Sequence, residues 1–393
     1  MNDKQSVHWV GAGLSSGPGI VDLANTFRRI SVWDTNTDNA VALRQHLKPG
    51  GNIEAQQLDL NCTRSVANFA AHLNAGDVVV SMLPAALHVR LAEIAIGQGA
   101  NLVTSSYLSD EMLALDDAAR ERNVSVINEV GLDPGIDHLF AHLLVDAANR
   151  EGCLDKGYEI DFVSYCGGVP VEPTDFTYKF SWTPLGVLAA LKNEARMIEG
   201  GETRIVAKAW EAVTNLKVKG ETFEVYPNRN SLPYVKEYGL ENEKNLNLFV
   251  RGTLRLAGWK SAWKDVLKQV ETSATPDLKA LSDKLWQDHR YGAHEKDRVV
   301  LYVAMAVRHE GRDIWSGAIS LDETGCGWRS AMASTVSLTV AQAVRAVMAG
   351  RMPKGVSAGV HDIEEASRWL AGLEQKGLTI RKDIPSGAGR KAS

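Results

Sequence analysis

The sequence is short of cysteine, of net charge and of long apolar runs, and each shortage closes off a class of protein. Only four cysteines occur in 393 residues: Cys62, Cys153, Cys166 and Cys326. They are scattered without metal-type spacing and read as reduced thiols of a cytoplasmic protein. A net charge of −5 and a pI near 6.1 lack the basic face of a nucleic-acid-binding protein. An anionic small-molecule substrate would therefore have to be attracted by a few local Arg and Lys side chains. No apolar run approaches the length of a membrane span, so no membrane partner is expected. The first strand begins almost at the first residue, which predicts no signal peptide. Internal repeats and low-complexity segments are lacking in the body of the chain. What is present is ordinary for a soluble protein, at 45% hydrophobic and 23% charged residues. The length allows two domains and a large core.

The first third alternates short apolar runs with helical segments. Strands are predicted at Val7–Val10, Ile30–Trp33, Ile53–Leu60, Val78–Leu83, Asn101–Thr104 and Val124–Val130. Helices are predicted between them at Gly17–Arg28, Thr37–Leu47, Thr63–Leu73, Ala86–Gln98 and Ser109–Arg122. Such alternation builds a doubly wound parallel sheet, and six strands suffice for a Rossmann domain. After about His142 the strands lengthen and lose their regular helices: Glu159–Tyr165, Thr222–Tyr226 and Asn245–Leu256. Val299–Val307 and Asp313–Leu321 flank a polar turn and predict an antiparallel hairpin. Trp259–Val270 and Asp277–Gln287 read as helices on this mixed or antiparallel sheet. Ser330–Met348 reads as a long buried helix, rich in Ala and Val.

The expected fold is therefore α/β: a Rossmann domain over residues 1–135 and a second α+β domain over 136–329, the latter binding substrate and joining a homodimer. Helices within about 330–375 are expected to pack back onto the first domain. Residues 385–393 read as a disordered tail. The apolar strands of the hairpin supply the argument for a dimer, because one domain need not cover them fully.

The first strand runs into Gly11-Ala12-Gly13-Leu14-Ser15-Ser16-Gly17 and then a helix. Glycines at Gly11 and Gly13 allow a tight turn and a close backbone approach to a pyrophosphate. The helix behind them offers free N–H groups and a positive dipole end. Ser16 stands at the usual third glycine position. Gly11, Gly13, Leu14, Ser15 and Ser16 are the predicted cofactor contacts. Asp34 ends the second strand, where a carboxylate takes the adenosine ribose hydroxyls of NAD and repels the 2′-phosphate of NADP. Asp59, at the end of the third strand, is placed toward the adenine, with a solvated strand-end Asp as the other reading. Leu83, in Ser81-Met82-Leu83-Pro84 at the end of the fourth strand, is placed where backbone meets the nicotinamide ribose.

The densest polar segment is Asn128-Glu129-Val130-Gly131-Leu132-Asp133-Pro134-Gly135-Ile136-Asp137-His138, at the end of the sixth strand. Ligands of open α/β sheets bind at the carboxyl ends of strands. A second reading makes Asp133 a helix N-cap with Pro134 at the first helical position. In the second domain, Arg251, Thr253 and Arg255 alternate along one strand and so share a face. Guanidinium groups can grip carboxylates with paired hydrogen bonds. His138 and His142 lie one helical turn apart, but no third ligand accompanies them and no metal is expected.

The GLDPGIDH run resembles saccharopine reductase, the L-glutamate-forming saccharopine dehydrogenase family. So do Ser81–Pro84 with His88, Thr104–Tyr107, Ser164–Gly168, Tyr178–Trp182, Tyr226–Arg229 and Arg251–Arg255, in the family's order and over most of the chain. The resemblance implies a Rossmann domain with a substrate and dimerisation domain. It implies oxidation of saccharopine to L-glutamate and L-2-aminoadipate 6-semialdehyde, or the reverse imine reduction. It also implies that Ser106, Tyr107, Asp133, Arg229, Thr253 and Arg255 contact saccharopine. Asp133, Tyr107 and Cys166 are the side chains it places near the proton transfers. Two departures stand out. The fungal reductases carry Arg at the position of Asp34 and use NADP, so this chain is expected to prefer NAD. They also carry Arg where Leu185 stands here, which removes a cation beside the pocket. Two other functions compete: a related amine dehydrogenase acting on carboxyspermidine, and a non-catalytic NAD-binding regulator. The arginine cluster disfavours the first, and the joint presence of Tyr107, Asp133, Arg229 and Arg255 disfavours the second.

Overall fold

Val78-Val79-Val80, and Ile30 and Val32 on either side of Ser31, are β-branched residues that are fully buried. Strands buried on both faces need such continuous apolar runs, and helices on either side supply the cover. The computed structural model describes residues 5–27 and 30–385. Six strands come first: β1 (Val7–Val10), β2 (Ile30–Asp34), β3 (Glu54–Gln57), β4 (Val78–Ser81), β5 (Asn101–Thr104) and β6 (Ser125–Asn128). Then follow β7 (Glu159–Pro170), β8 (Ala195–Glu199), β9 (Glu202–Val206), β10 (Thr214–Val218), β11 (Glu221–Pro227) and β12 (Leu246–Leu256). The last are β13 (Lys296–His309), β14 (Arg312–Cys326), β15 (Gly355–Ala358) and β16 (Ile380–Asp383).

The chain divides into two units. The first takes the residues up to His138 together with Met332–Gly377, and the second takes Leu139–Ala331 together with the chain from Leu378. The first unit holds a parallel sheet in the order β15-β6-β5-β4-β1-β2-β3. Its first six strands follow the doubly wound dinucleotide-binding order. The seventh, β15, pairs in parallel with β6 from more than two hundred residues downstream. The helix Ala331–Met348 is long and apolar enough to span a bilayer, but most of it is buried inside the protein. It packs on the first helix, where the Gly19 N–H donates to Ser337 Oγ at 2.8 Å.

The second unit holds a mixed sheet in the order β10-β11-β12-β7-β13-β14-β16, with β8 pairing β12 and β9. One apolar layer packs Tyr178, Phe180, Tyr226, Trp259 and Trp263 against the helices Pro184–Lys192 and Lys264–Thr272. Another gathers Tyr165, Phe223, Val250 and Leu254. Arg298 joins Glu221 and Asp322 across strands, and Arg308 joins Glu159, Asp161 and Asp313.

Several expectations are corrected. The Ser109–Arg122 helix is two helices, Asp110–Leu113 and Asp116–Glu121, and Trp259–Val270 is likewise split at Trp263. The sixth strand stops at Asn128, because Glu129 adopts φ +58°. The hairpin is longer than its apolar core, since polar ends of β13 and β14 keep the ladder through Lys296 and Cys326. Its apolar residues Val299, Leu301, Val303, Ile319 and Leu321 are fully buried within one chain. Moreover β14 is paired on its outer side by β16 over Ala318–Leu321, so the middle of that edge is already occupied within the chain. All but the first residue of the expected tail, and the last residue of the expected Gly17–Arg28 helix, lie outside the described residues.

Candidate active site

The glycine turn after β1 is shaped by what crosses it. Gly11 has φ +98°, and a Cβ there would lie 2.7 Å from the Met82 carbonyl oxygen, so only glycine fits. A Cβ at Gly13 would meet nothing within 4 Å, which leaves that side of the turn open. Among the described residues the N–H groups of Gly13, Leu14 and Ser15 have no protein acceptor. Open space lined by free backbone N–H groups at a helix start fits a pyrophosphate. Ser16 does something else. It is buried, its hydroxyl donates to the Gly11 carbonyl at 2.8 Å and its N–H to Gly13 at 3.1 Å. Its side chain braces the turn rather than facing a ligand. The glycine needed for close helix packing is Gly19, where a Cβ would lie 2.7 Å from the Trp9 ring. Sequence spacing missed it, because it falls three residues beyond the usual place.

Asp34 stands at the end of β2, and its Oδ2 accepts the Ala12 N–H at 2.7 Å. Asn39 donates to the Ala12 carbonyl at 3.0 Å, so the turn is clamped from both sides. Asp34 Oδ1 accepts from Asn36 N–H and the Thr35 hydroxyl, each at 3.2 Å. Asp59 is tied into a local turn, accepting the Asn61 N–H at 2.8 Å, and falls beyond the end of β3. Leu83 is half-buried and packs on the sheet's apolar core beside Gly11.

The loops after β5 and β6 interlock. The Glu129 N–H donates to the Ser106 carbonyl at 3.0 Å, and Gly131 packs against Ser105, where a Cβ would lie 2.8 Å from the serine Cβ. Tyr107 donates its hydroxyl to Asp133 Oδ1 at 3.3 Å. Asp133 is not a helix cap, since the helix runs Ile136–Arg150 and Pro134 lies outside it. The capping contact belongs to Asp137, whose Oδ1 accepts the Gly135 N–H at 2.6 Å. Glu129, which the sequence reading passed over, is buried with His138. Its Oε2 lies 2.9 Å from His138 Nε2, and its Oε1 accepts the Leu108 N–H at 2.9 Å. His138 is thus committed to a carboxylate. Through the Leu108 N–H the pair fixes the residue next to Tyr107.

In the second unit the face of β12 carrying Arg251, Thr253 and Arg255 is lined with aromatics. The Arg251 guanidinium stacks 3.8 Å from the Tyr234 ring centre. That of Arg255 lies 4.6 Å from Tyr178 and 5.8 Å from both Tyr226 and Trp259. Arg255 is 6% exposed, and among the described residues no carboxylate lies within ion-pair distance of it. It donates to its neighbour's carbonyl, Leu254, at 3.1 Å. Burial pushes the Tyr226 phenol above its usual range, against hydrogen bonds from Thr253 and Arg255 that pull it down. A buried cation without a counter-charge is costly, and an anionic ligand would relieve it. Cys166 is buried on β7 and registers opposite Thr253, so the two share a face. Arg229 is exposed, at φ +56° just past β11, and its carbonyl accepts the Arg196 N–H. Leu185 is half-buried against the aromatic layer that cages Arg255.

Comparison with known proteins places this geometry in context. A family model described as the saccharopine dehydrogenase C-terminal domain matches residues 131–378, and one described as the saccharopine dehydrogenase NADP binding domain matches residues 7–127. The chain is 35% identical to a saccharopine dehydrogenase [NADP(+), L-glutamate-forming] of Pyricularia oryzae over 65% of its own length and 55% of the relative's. To the enzyme of the same name in Saccharomyces cerevisiae it is 32% identical, over 72% of this chain and 68% of that one. It spans about half the length of the first of these relatives. A solved structure of apo saccharopine dehydrogenase (L-Glu forming) from Saccharomyces cerevisiae superposes with a TM-score of 0.77. The match covers 96% of this chain and 99% of that one at 24% identity, and so speaks for the fold.

Proposed function

The chain belongs to the saccharopine dehydrogenase family, and from that membership we propose that it oxidises saccharopine to L-glutamate and L-2-aminoadipate 6-semialdehyde, with NAD preferred over NADP. The observation that carries the reading is Arg255: a buried guanidinium, framed by Tyr178, Tyr226 and Trp259, with no carboxylate of the protein against it among the described residues. Saccharopine has three carboxylates, and a desolvated guanidinium holds one of them with charge-assisted hydrogen bonds. Thr253 supports it through Tyr226, and Arg229 is a further carboxylate contact by resemblance.

The amides of Gly13, Leu14 and Ser15 would hold the pyrophosphate of NAD, which when bound would supply the hydride acceptor. The secondary amine must lose a proton as the hydride leaves its carbon, which gives an imine; water then adds and splits the carbon–nitrogen bond. Asp133 and Tyr107, joined by a hydrogen bond, act at this amine. Asp133 orients it, and Tyr107 holds Asp133. Cys166 is a lesser candidate, as a buried thiol that packs like a small apolar group. The relatives' names carry NADP(+), and the preference for NAD rests on Asp34 alone. The homodimer is proposed on the resemblance, and the cytoplasmic setting on the scattered thiols. Formation of NADH from NAD and saccharopine tests the reading. The absence of turnover with saccharopine, in either direction and with either cofactor, would overturn it.

A further inference from the structure

His88 has no role in the assignments above, yet it joins two of the site's loops. Its Nδ1 lies 2.7 Å from Ser81 Oγ, at the end of β4, and its Nε2 lies 2.7 Å from Ser106 Oγ, on the loop after β5. Ser81 is fully buried and His88 nearly so. Two observations fix the order of protons along this chain.

First, the imidazole is neutral. It is buried with no carboxylate against it among the described residues, and it opens the helix His88–Gly97, whose positive end disfavours an imidazolium. Burial accordingly pulls its pKa down to about 4. A neutral imidazole has one donor and one acceptor nitrogen. Second, the Ser81 hydroxyl has no acceptor among the described residues other than His88 Nδ1. Leaving that buried O–H unpaired costs free energy, so Ser81 donates to Nδ1. The ring proton then sits on Nε2 and is donated to Ser106 Oγ. Ser106 is half-buried, and its own proton must point away from the imidazole. The other tautomer would turn Ser106 inward and present only lone pairs to a ligand.

We propose that His88 is a positioning residue that commits the Ser106 hydroxyl to donate, so that Ser106 takes an oxygen acceptor of the substrate, a carboxylate in particular, and disfavours an ammonium group. The identity of the ligand rests on the proposed function; the polarity of the chain does not. Ser106→Ala and His88→Leu should each raise the KM for saccharopine about ten-fold, the cost of one hydrogen bond to a charged group. Turnover at saturation and NAD affinity should change little.

The decisive measurement is the double variant. If His88 acts through Ser106, adding His88→Leu to Ser106→Ala raises KM no further. Losses that multiply mean that His88 merely supports the fold, and overturn the proposal. His88→Gln, which keeps an N–H donor toward Ser106, should recover most of the KM. Independently of activity, nitrogen chemical shifts of histidine-labelled protein at neutral pH should give the neutral Nε2–H tautomer for His88. An Nδ1–H tautomer or an imidazolium overturns the proposal. If wild-type protein shows the Nε2–H tautomer but does not turn over saccharopine, the proposed function fails while the donor polarity of Ser106 stands.

Discussion

Asp34 accepts the Ala12 N–H at 2.7 Å, so the residue proposed to read the cofactor ribose also holds the glycine turn in shape. Its two tasks can be separated. Wild-type protein should prefer NAD over NADP in kcat/KM. Asp34→Arg should reverse the preference and also weaken binding of both cofactors, because the Ala12 amide loses its acceptor. Asp34→Asn keeps an acceptor and should lose discrimination with less loss of affinity. Kinetics with both cofactors check this, and a wild type that clearly prefers NADP refutes the assignment.

Arg255 and Arg229 should differ in weight. Arg255 is buried in an aromatic cage, whereas Arg229 is exposed. Truncating one member of a desolvated charge pair typically costs about 2–5 kcal/mol, and an exposed one about 1 or less. Arg255→Leu should therefore raise the KM for saccharopine far more than Arg229→Ala, with NAD affinity intact in both. Arg255→Lys should not restore it, since an ammonium lacks the planar fork. Equal effects of the two truncations would contradict the cage assignment.

Asp133 and Glu129 lie four residues apart and should fail in opposite ways. Asp133 does not occupy the N-cap of the helix that follows, so Asp133→Ala should lower the rate more than it lowers the melting temperature. Glu129→Ala strands the buried His138 beside it, and leaving a buried polar group without its partner costs about 1–3 kcal/mol. Its loss should appear first in thermal or urea unfolding. A strongly destabilised Asp133→Ala would show that the loop, and not the amine, needs this carboxylate.

Asp77 should give the fold part of its acid sensitivity. Burial raises its pKa, but hydrogen bonds from His8 and from the Ser6 and Asn74 amides together hold it below the ordinary 3.8. A carboxyl whose folded pKa is depressed stabilises the fold above its unfolded pKa, and that stabilisation is lost as pH falls through the folded value. Asp77→Asn should cost about 1.5–3 kcal/mol at neutral pH, and the gap to wild type should close below pH about 3.8. Urea unfolding as a function of pH measures the gap. A gap that is constant across the range would be inconsistent with the shift.

Sedimentation at micromolar concentration should give a homodimer. Because the hairpin's apolar residues are already buried in one chain, a monomer there would remove the dimer without disturbing the fold.

The sequence by itself carried what depends on neighbours along the chain. Six alternating strands, the tight turn at Gly11 and the carboxylate at Asp34 follow from local periodicity and from spacing, since each needs only residues near it in sequence. The motif order from Ser81 to Arg255 carried the family, because many short matches in one order are improbable together. Tertiary structure decided the rest. The seventh strand β15 could not be read locally, since its partner β6 lies more than two hundred residues away. The same holds for Gly19, whose need to be glycine is set by Trp9 and by Ser337 on the long buried helix. That Asp133 does not sit at the N-cap was decided by where the helix begins, two residues later than the Asp-Pro pair suggests. That Arg255 is a buried, caged cation and Arg229 an exposed one was equally beyond the pattern, which marks both simply as Arg. Burial and hydrogen-bond order are properties of groups brought together from distant strands. The chain of Ser81, His88 and Ser106 exists only once β4, the helix after it and the loop after β5 are set side by side in the sheet.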